Sequence, residues 1–384
     1  MAGGSRVDLS GVPVVDNHCH PVHRTQQHTD PLAWRSLFSE AHDRGVRAAH
    51  AADGVFGQRL LRAMAELHGV EADEQAVLTA RARLSTEALL ARLFHDANID
   101  ALVVDTGHPP PETTLSAAQL TAASGVGQVS LLRLELLFQD LVATSTTLGE
   151  LVDALTAGLA DVRADGYAGF KSIVGYRTGL DVQRWAGADV RVSFERARAE
   201  VAATGSVRLG HKPLLDTLLH VALTAAAAQH LPVQLHVGYG DPDVDLRTAS
   251  PLALRPLLEE PAYRDVPLVL LHGCWPYFRE GAYLAAVYPN AYLDLSYGIP
   301  FLSTAEMTSM TRAALGAAPV GKLLYSSDGV GVPELHWLGA HDGRRVLGAC
   351  LGELVAEGDV STAWAERAGQ RILAESTRAL YGVP

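Results

Sequence analysis

Short, nearly continuous apolar runs rich in β-branched residues recur along the chain, separated by longer stretches in which apolar residues return every third or fourth position. The runs are VPVVD (Val12–Asp16), ALVVD (Ala101–Asp105), VSLLRL (Val129–Leu134), YAGFKSIV (Tyr167–Val174), PVQLH (Pro232–His236), PLVLLH (Pro267–His272), AYLDLS (Ala291–Ser296) and KLLYSS (Lys322–Ser327). Runs that are apolar at consecutive positions suit strands covered on both faces, as parallel strands are when helices return over them. Eight strand–helix units close most naturally into a barrel. An open doubly wound sheet would want a glycine-rich phosphate loop after its first strand. Here the first run passes instead into Asn17-His18-Cys19-His20. The expected fold is therefore α/β, a (β/α)8 TIM barrel.

Two spacers are long. Residues 21–100 contain SLFSEAHDRGVRAAHAA, GQRLLRAMAELHG and STEALLARLFHDA, each with helical periodicity. They predict a helical insertion after the first strand, about residues 30–95, over the barrel mouth, serving as a lid or as the surface of a homo-oligomer. Residues 175–231 are also largely helical, broken by a loop near Thr204–Gly210, and Leu214–Ala228 reads as a buried helix. Ser361–Leu380 predicts a closing amphipathic helix ended by Gly382-Val383-Pro384. With no internal repeat and no low-complexity linker, residues 1–384 read as one barrel domain.

Composition narrows the partners. The formal net charge is −12 and no basic stripe is present, which argues against nucleic acid. No uninterrupted apolar stretch of about 18 residues predicts a membrane span, and MAGGSRVDLSG lacks the basic-then-apolar order of a signal peptide. Three dispersed cysteines, Cys19, Cys274 and Cys350, form neither a disulfide framework nor a CxxC zinc site, and a reducing cytoplasm is expected. A small-molecule substrate is the remaining class of partner.

The chemistry collects at the ends of the apolar runs. His18 and His20 are two apart, so on a strand both imidazoles point to one side while Cys19 points to the other, as a small buried thiol. His236 ends the fifth run, His272 the sixth, and Asp328 follows the eighth. Any one alone reads as a core histidine or a capping aspartate. Together they lie at the C-terminal strand ends where barrel active sites form, and a shared cation would satisfy all of them. Arg133 and Glu135 leave the third run as an interior charge pair. Lys171 lies on the fourth run, with Glu135 as one candidate ion partner. Tyr176 and Arg177 follow, the arginine suited to bidentate capture of a carboxylate or to a rim salt bridge. Glu334 and His336 are candidate pocket-wall residues. His108, before three prolines, predicts an external loop. His23 is near enough to the site to watch. His28, His42, His50, His68, His95, His211, His220, His230 and His341 read as surface, helical or loop residues.

The order HxH, Lys, His, His, Asp along a βα-repeating chain resembles the amidohydrolase superfamily. It is most similar to the amidohydrolase-2 group, which includes hydrolases and nonoxidative decarboxylases such as aminocarboxymuconate semialdehyde decarboxylase. GFKSIVGYRTGL (Gly169–Leu180) further resembles the amidohydrolase-like domain that some fungal and plant proteins carry fused to a glutamine-synthetase-like domain; no second domain is expected here. The resemblance covers residues 12–380. It implies that His18, His20 and His236 bind a divalent metal with Asp328 as a further ligand. It implies too that Asp328 moves the proton of an activated water, and that His272 polarises the substrate carbonyl. Three nitrogens and one carboxylate leave room for that water. Lys171 is open between a carboxylated ligand bridging two metals, a lysine that contacts substrate or backs the metal site, and a structural ion pair.

The expected function is metal-dependent hydrolysis of an amide or related C–N bond in a small carboxylate-bearing substrate. Zn2+ is the expected ion and Mn2+ the alternative, with one ion favoured and two allowed. Two other functions compete: a nonoxidative decarboxylase using the same ligands, and a catalytically silent barrel acting as a binding subunit.

Overall fold

The computed structural model describes residues 6–26 and 30–383; His28, the first five residues and Pro384 lie outside the described residues. Eight strands occur in sequence order within one sheet: β1 (Val14–Cys19), β2 (Ile99–Asp105), β3 (Gly127–Arg133), β4 (Tyr167–Ser172), β5 (Val233–Leu235), β6 (Leu268–Leu270), β7 (Ala291–Ser296) and β8 (Leu323–Ser326). Every pairing is parallel. The sheet curls until β8 meets β1, where the Asp328 amide donates to the His18 carbonyl (3.0 Å) and the His20 amide to the Gly329 carbonyl (2.7 Å). Helices cover the outside, so the architecture is a (β/α)8 barrel. β1 runs three residues past its apolar run, whereas β5 and β6 stop short of His236 and His272.

Between β1 and β2 lie the helices α1 (Pro31–Arg35), α2 (Arg44–Ala49), α3 (Val55–His68), α4 (Glu74–Arg81) and α5 (Thr86–Asp96). Four of the five starts are cut by side chains that accept first-turn amides, Asp30, Asp43, Asp73 and Ser85, and α3 begins after Gly54. The segment is tied to the long helix Pro333–Glu357 after β8. Arg81 donates to Glu334 (2.5 Å) in a buried pair and also to Gln26, and Arg59 pairs with Asp342 (2.8 Å). Glu334 is therefore committed to Arg81, and His336 is wholly buried with Nδ1 on the Val332 carbonyl. Neither lines the pocket expected from the sequence, because the helix turns both toward the insertion.

The barrel interior is filled from below. Val15, Ala101, Val103, Leu131 and Ala168 form a cluster with Ala374, Tyr381 and Val383 of the C-terminal segment. The small residues Ala101 and Ala168 leave room for the Tyr381 ring, whose hydroxyl accepts from Gln234 (2.8 Å) on β5. The expected closing helix is broken into Thr362–Gln370, a π-turn at Arg371–Glu375 and Ser376–Tyr381, and it plugs the N-terminal end of the barrel. The open C-terminal end is left to polar residues. Among the described residues, no helix is long and apolar enough to cross a membrane.

Candidate metal centre

Asp328 stands at the middle of the open end. It follows β8 with φ 52°, in the left-handed region, which aspartate tolerates better than most residues. His18 Nε2 lies 3.4 Å and His20 Nε2 3.7 Å from its Oδ1, and His272 Nδ1 lies 3.3 Å from its Oδ2. Ligand atoms of His18, His272 and Asp328 all fall within 4.8 Å of one another. These separations match the roughly 3.4 Å edge of a tetrahedron with bonds of about 2.1 Å.

The hydrogen bonds behind the imidazoles decide which nitrogens carry lone pairs. His20 Nδ1 sits 3.0 Å from the His108 carbonyl and must donate to it, so Nε2 presents a lone pair to Asp328. His236 Nε2 sits 2.6 Å from the Tyr239 carbonyl and donates there; its Nδ1 then accepts from His272 Nε2 (2.9 Å). That relay leaves His272 Nδ1 as a lone pair, also aimed at Asp328. Burial holds His20 at about 3 and drives His236 and His272 well below the usual histidine value, so all three are neutral near pH 7. Two lone pairs directed at one carboxylate repel it unless a cation lies between. The donor set therefore fits a divalent ion, held by His18, His272 and Asp328 with His20 alongside. His236, which the resemblance makes a ligand, stands next to His272, with Nε2 on the Tyr239 carbonyl and Nδ1 on His272 Nε2.

Other residues hold this geometry. The Tyr239 hydroxyl donates to Asp328 Oδ2 (2.5 Å). Asp294 on β7 accepts from the His272 amide (2.8 Å) and from Asn17 (3.2 Å), fixing a turn in which His272, Gly273 and Cys274 all have positive φ. Asp16 accepts from the amide and hydroxyl of Ser327 and ties β1 to β8 beneath the site. Such strained backbone costs about 1–3 kcal/mol per residue and persists where surrounding contacts over-determine it.

Lys171, fully buried on β4, places Nζ 3.1 Å from His18 Nε2 and 4.0 Å from Asp105. Burial brings its pKa down to about 8, against the opposing pull of Asp105. Its acidic neighbour is thus Asp105 rather than Glu135. Asp105 is also the partner of Arg133, which leaves Glu135 outside the interior charge pair expected from the sequence. Glu135 instead opens the helix Leu134–Thr144 and accepts from the Ser172 hydroxyl (2.6 Å) and the Ile173 amide (2.9 Å).

Above the cluster is a cavity of about 370 Å3. Its lining includes His20, His236, His272, Asp328, Lys171, Glu135, Tyr176 and Arg177. Tyr176 packs its ring 4.4 Å from that of His236 and accepts from the Asp241 amide (3.3 Å). His108 also lines the cavity, so its loop folds inward instead of lying outside. Cys19 is buried against β2, on the opposite side from the two histidines that flank it. Four further residues, Asp105, Asp294, Tyr239 and Glu40, shape the site beyond those expected from the sequence. Asp105 closes the second apolar run, so its strand-end position was a visible signal. Glu40 reaches the cavity from the β1–β2 segment and is raised to about 7 by burial and by Asp328 and Asp241. Nothing in the local pattern marks it.

Comparison with known proteins places the chain in a family. A family model described as Amidohydrolase matches residues 161–382. Protein fluG of Emericella nidulans is 37% identical over 251 residues, 63% of this chain but 29% of fluG, so the chain spans less than a third of that relative. A protein of Lactobacillus casei ATCC 334, provisionally described as a metal-dependent hydrolase, superposes with a TM-score of 0.87 at 26% identity, over 99% of this chain and 98% of its own. Glucuronate isomerase from Caulobacter crescentus shares the fold at a TM-score of 0.67 and 18% identity, over 97% and 92% of the two chains. With more than half of its length matched by the family model, and with imidazoles and an aspartate gathered at the barrel mouth, the chain belongs to the amidohydrolase family.

Proposed function

We propose that this protein is a metal-dependent hydrolase that cleaves an amide or related C–N bond of a small carboxylate-bearing substrate. The observation that carries this reading is the convergence of His18, His272 and Asp328 at the floor of a cavity whose wall holds Arg177. A bound divalent ion, Zn2+ by the imidazole-rich donor set, would polarise the scissile carbonyl and acidify water. The protein's own groups do the rest. Asp328, held in place by Tyr239, takes the proton from the attacking water and passes it to the departing nitrogen. Lys171, a buried cation at the cavity floor, stabilises negative charge that develops on the substrate oxygen. Arg177 anchors the substrate carboxylate. Residues 1–384 act as one catalytic unit, with the β1–β2 segment as its roof. The three free, buried cysteines suit a reducing compartment such as the cytoplasm.

The test is an assay of metal-loaded and chelated protein on carboxylate-bearing amides and the corresponding acids. Amine release that needs metal is the expected result. Release of CO2 from the acids, without amine release, would move the protein to the decarboxylase reading. Less than about 0.3 equivalents of bound divalent ion after loading would sink both in favour of a silent barrel, since an assembled donor set retains its ion.

A further inference from the structure

Two oppositely charged groups on the cavity wall are each left unsatisfied. Glu135 is 1% exposed, and its Oε1 is consumed by Ser172 and Ile173 at the end of β4. Its Oε2 is buried and has no hydrogen-bond partner. Arg177 ends the short helix Val174–Arg177 directly after β4, and its Nε is likewise buried without a partner. β3 and β4 are neighbours, so these two groups follow adjacent strands and line the same cavity. Among the described residues no ion pair joins them. The other arginines near Arg177 are already matched, Arg133 to Asp105 and Arg208 to Asp243. Buried polar atoms without partners are uncommon and costly. A ligand that offers a donor to Glu135 and an acceptor to Arg177 removes both costs together.

We propose that Glu135 and Arg177 form a recognition site for an α-amino acid headgroup, Glu135 taking the ammonium and Arg177 the carboxylate, with the side chain running to the cluster at Asp328. The substrate is then an α-amino acid whose side chain carries the scissile C–N bond. Glu135 Oε1 remains on β4, so the ammonium meets an oxygen whose position is already fixed. A cavity of about 370 Å3 holds a ligand of this size. The identity of the bond at the far end rests on the hydrolase reading; recognition of the headgroup does not.

Binding to the metal-loaded full-length chain, measured by calorimetry, tests the headgroup without requiring turnover. The probes are L-glutamate, glutarate and 4-aminobutyrate, and the one-carbon-shorter set L-aspartate, succinate and β-alanine. Each set removes the ammonium or the α-carboxylate while keeping a distal carboxylate for the cluster. In at least one set, the amino acid is expected to bind at least tenfold more tightly than either truncated relative. Glu135→Gln, which keeps an acceptor for Ser172 and Ile173, is expected to cost the amino acid about tenfold and the dicarboxylate less than threefold. Arg177→Gln is expected to weaken the amino acid and the dicarboxylate alike and to spare the amine. Equal binding of amino acid and dicarboxylate by the wild type would overturn the proposal. So would equal losses in Glu135→Gln, or no binding by either set. A protein that shows the discrimination but hydrolyses no amide keeps the headgroup site and loses the hydrolase reading. One that hydrolyses amides without the discrimination loses the headgroup site alone.

Discussion

His272 and His236 are adjacent imidazoles with different tasks. His272 directs a lone pair at Asp328, while His236 spends its nitrogens on Tyr239 and His272. His272→Ala is expected to remove a ligand and abolish metal retention and turnover. His236→Ala is expected to weaken metal binding by roughly 10–100-fold, the usual effect of losing a group that orients a ligand. Metal titration of the two variants checks the order; equal effects would place both histidines on the ion. Beneath them, Asp105 is pushed up by burial but held well below the usual carboxylate range by Arg133, His20 and Lys171. Asp105→Asn leaves the Arg133 charge buried and unmatched, at a cost of roughly 3–5 kcal/mol. Because the folded pKa is the depressed one, this stabilisation is present above the unfolded value of about 3.9 and is lost as pH falls through the folded value. Denaturant melts should therefore show the variant less stable than wild type at pH 5, and the two should converge only in stronger acid. The candidate residues on β1, β4 and β8 were legible because each follows or ends an apolar run. The division of labour between His236 and His272 was not, since it depends on a carbonyl, that of Tyr239, supplied by a turn after β5.

The elements that shape the mouth depend on close approach between backbones. After β7, a Cβ on Gly298 would lie 1.8 Å from the Ser327 carbonyl, one residue before Asp328. Gly298→Ala should force β7 and β8 apart at the site, with overpacking costs of about 1–3 kcal/mol or more and a loss of metal affinity larger than the loss of stability implies. Unchanged metal affinity would show that the turn can yield without moving Asp328. The helical character of the β1–β2 segment was readable from the periodicity of three stretches within it, whereas α1 and α4 lie outside those stretches, and its placement rests on Arg81 and Glu334, 253 residues apart in sequence. Glu334→Gln strands the Arg81 charge in the core and is expected to cost roughly 3–5 kcal/mol. Limited proteolysis within residues 30–95 should then precede global unfolding; simultaneous loss of both would indicate that the segment and barrel melt as one.

At the scale of the molecule, the C-terminal segment closes one end of the barrel and thereby leaves the other for chemistry. Tyr381→Ala empties a space among Val15, Ala101 and Leu131 and is expected to destabilise by about 3–5 kcal/mol, by analogy with other large-to-small core changes. Turnover per folded molecule should stay near that of the wild type, because Tyr381 packs in the floor of the barrel and not in the cavity. An ion bound only to the folded state should raise the melting temperature with the logarithm of its concentration, and chelation should reverse the shift.

Periodicity alone determined the eight strand–helix units, because burial on two faces demands apolar runs and amphipathic helices demand a 3.6-residue return. It also put histidines and an aspartate at the strand ends, where a barrel must converge them. Only the tertiary structure decided which nitrogen meets which oxygen, that Asp105 serves Arg133 and Lys171, and that Glu135 and Arg177 face the cavity unmatched. Those outcomes depend on partners brought together across the barrel from distant parts of the chain, and no local pattern encodes them.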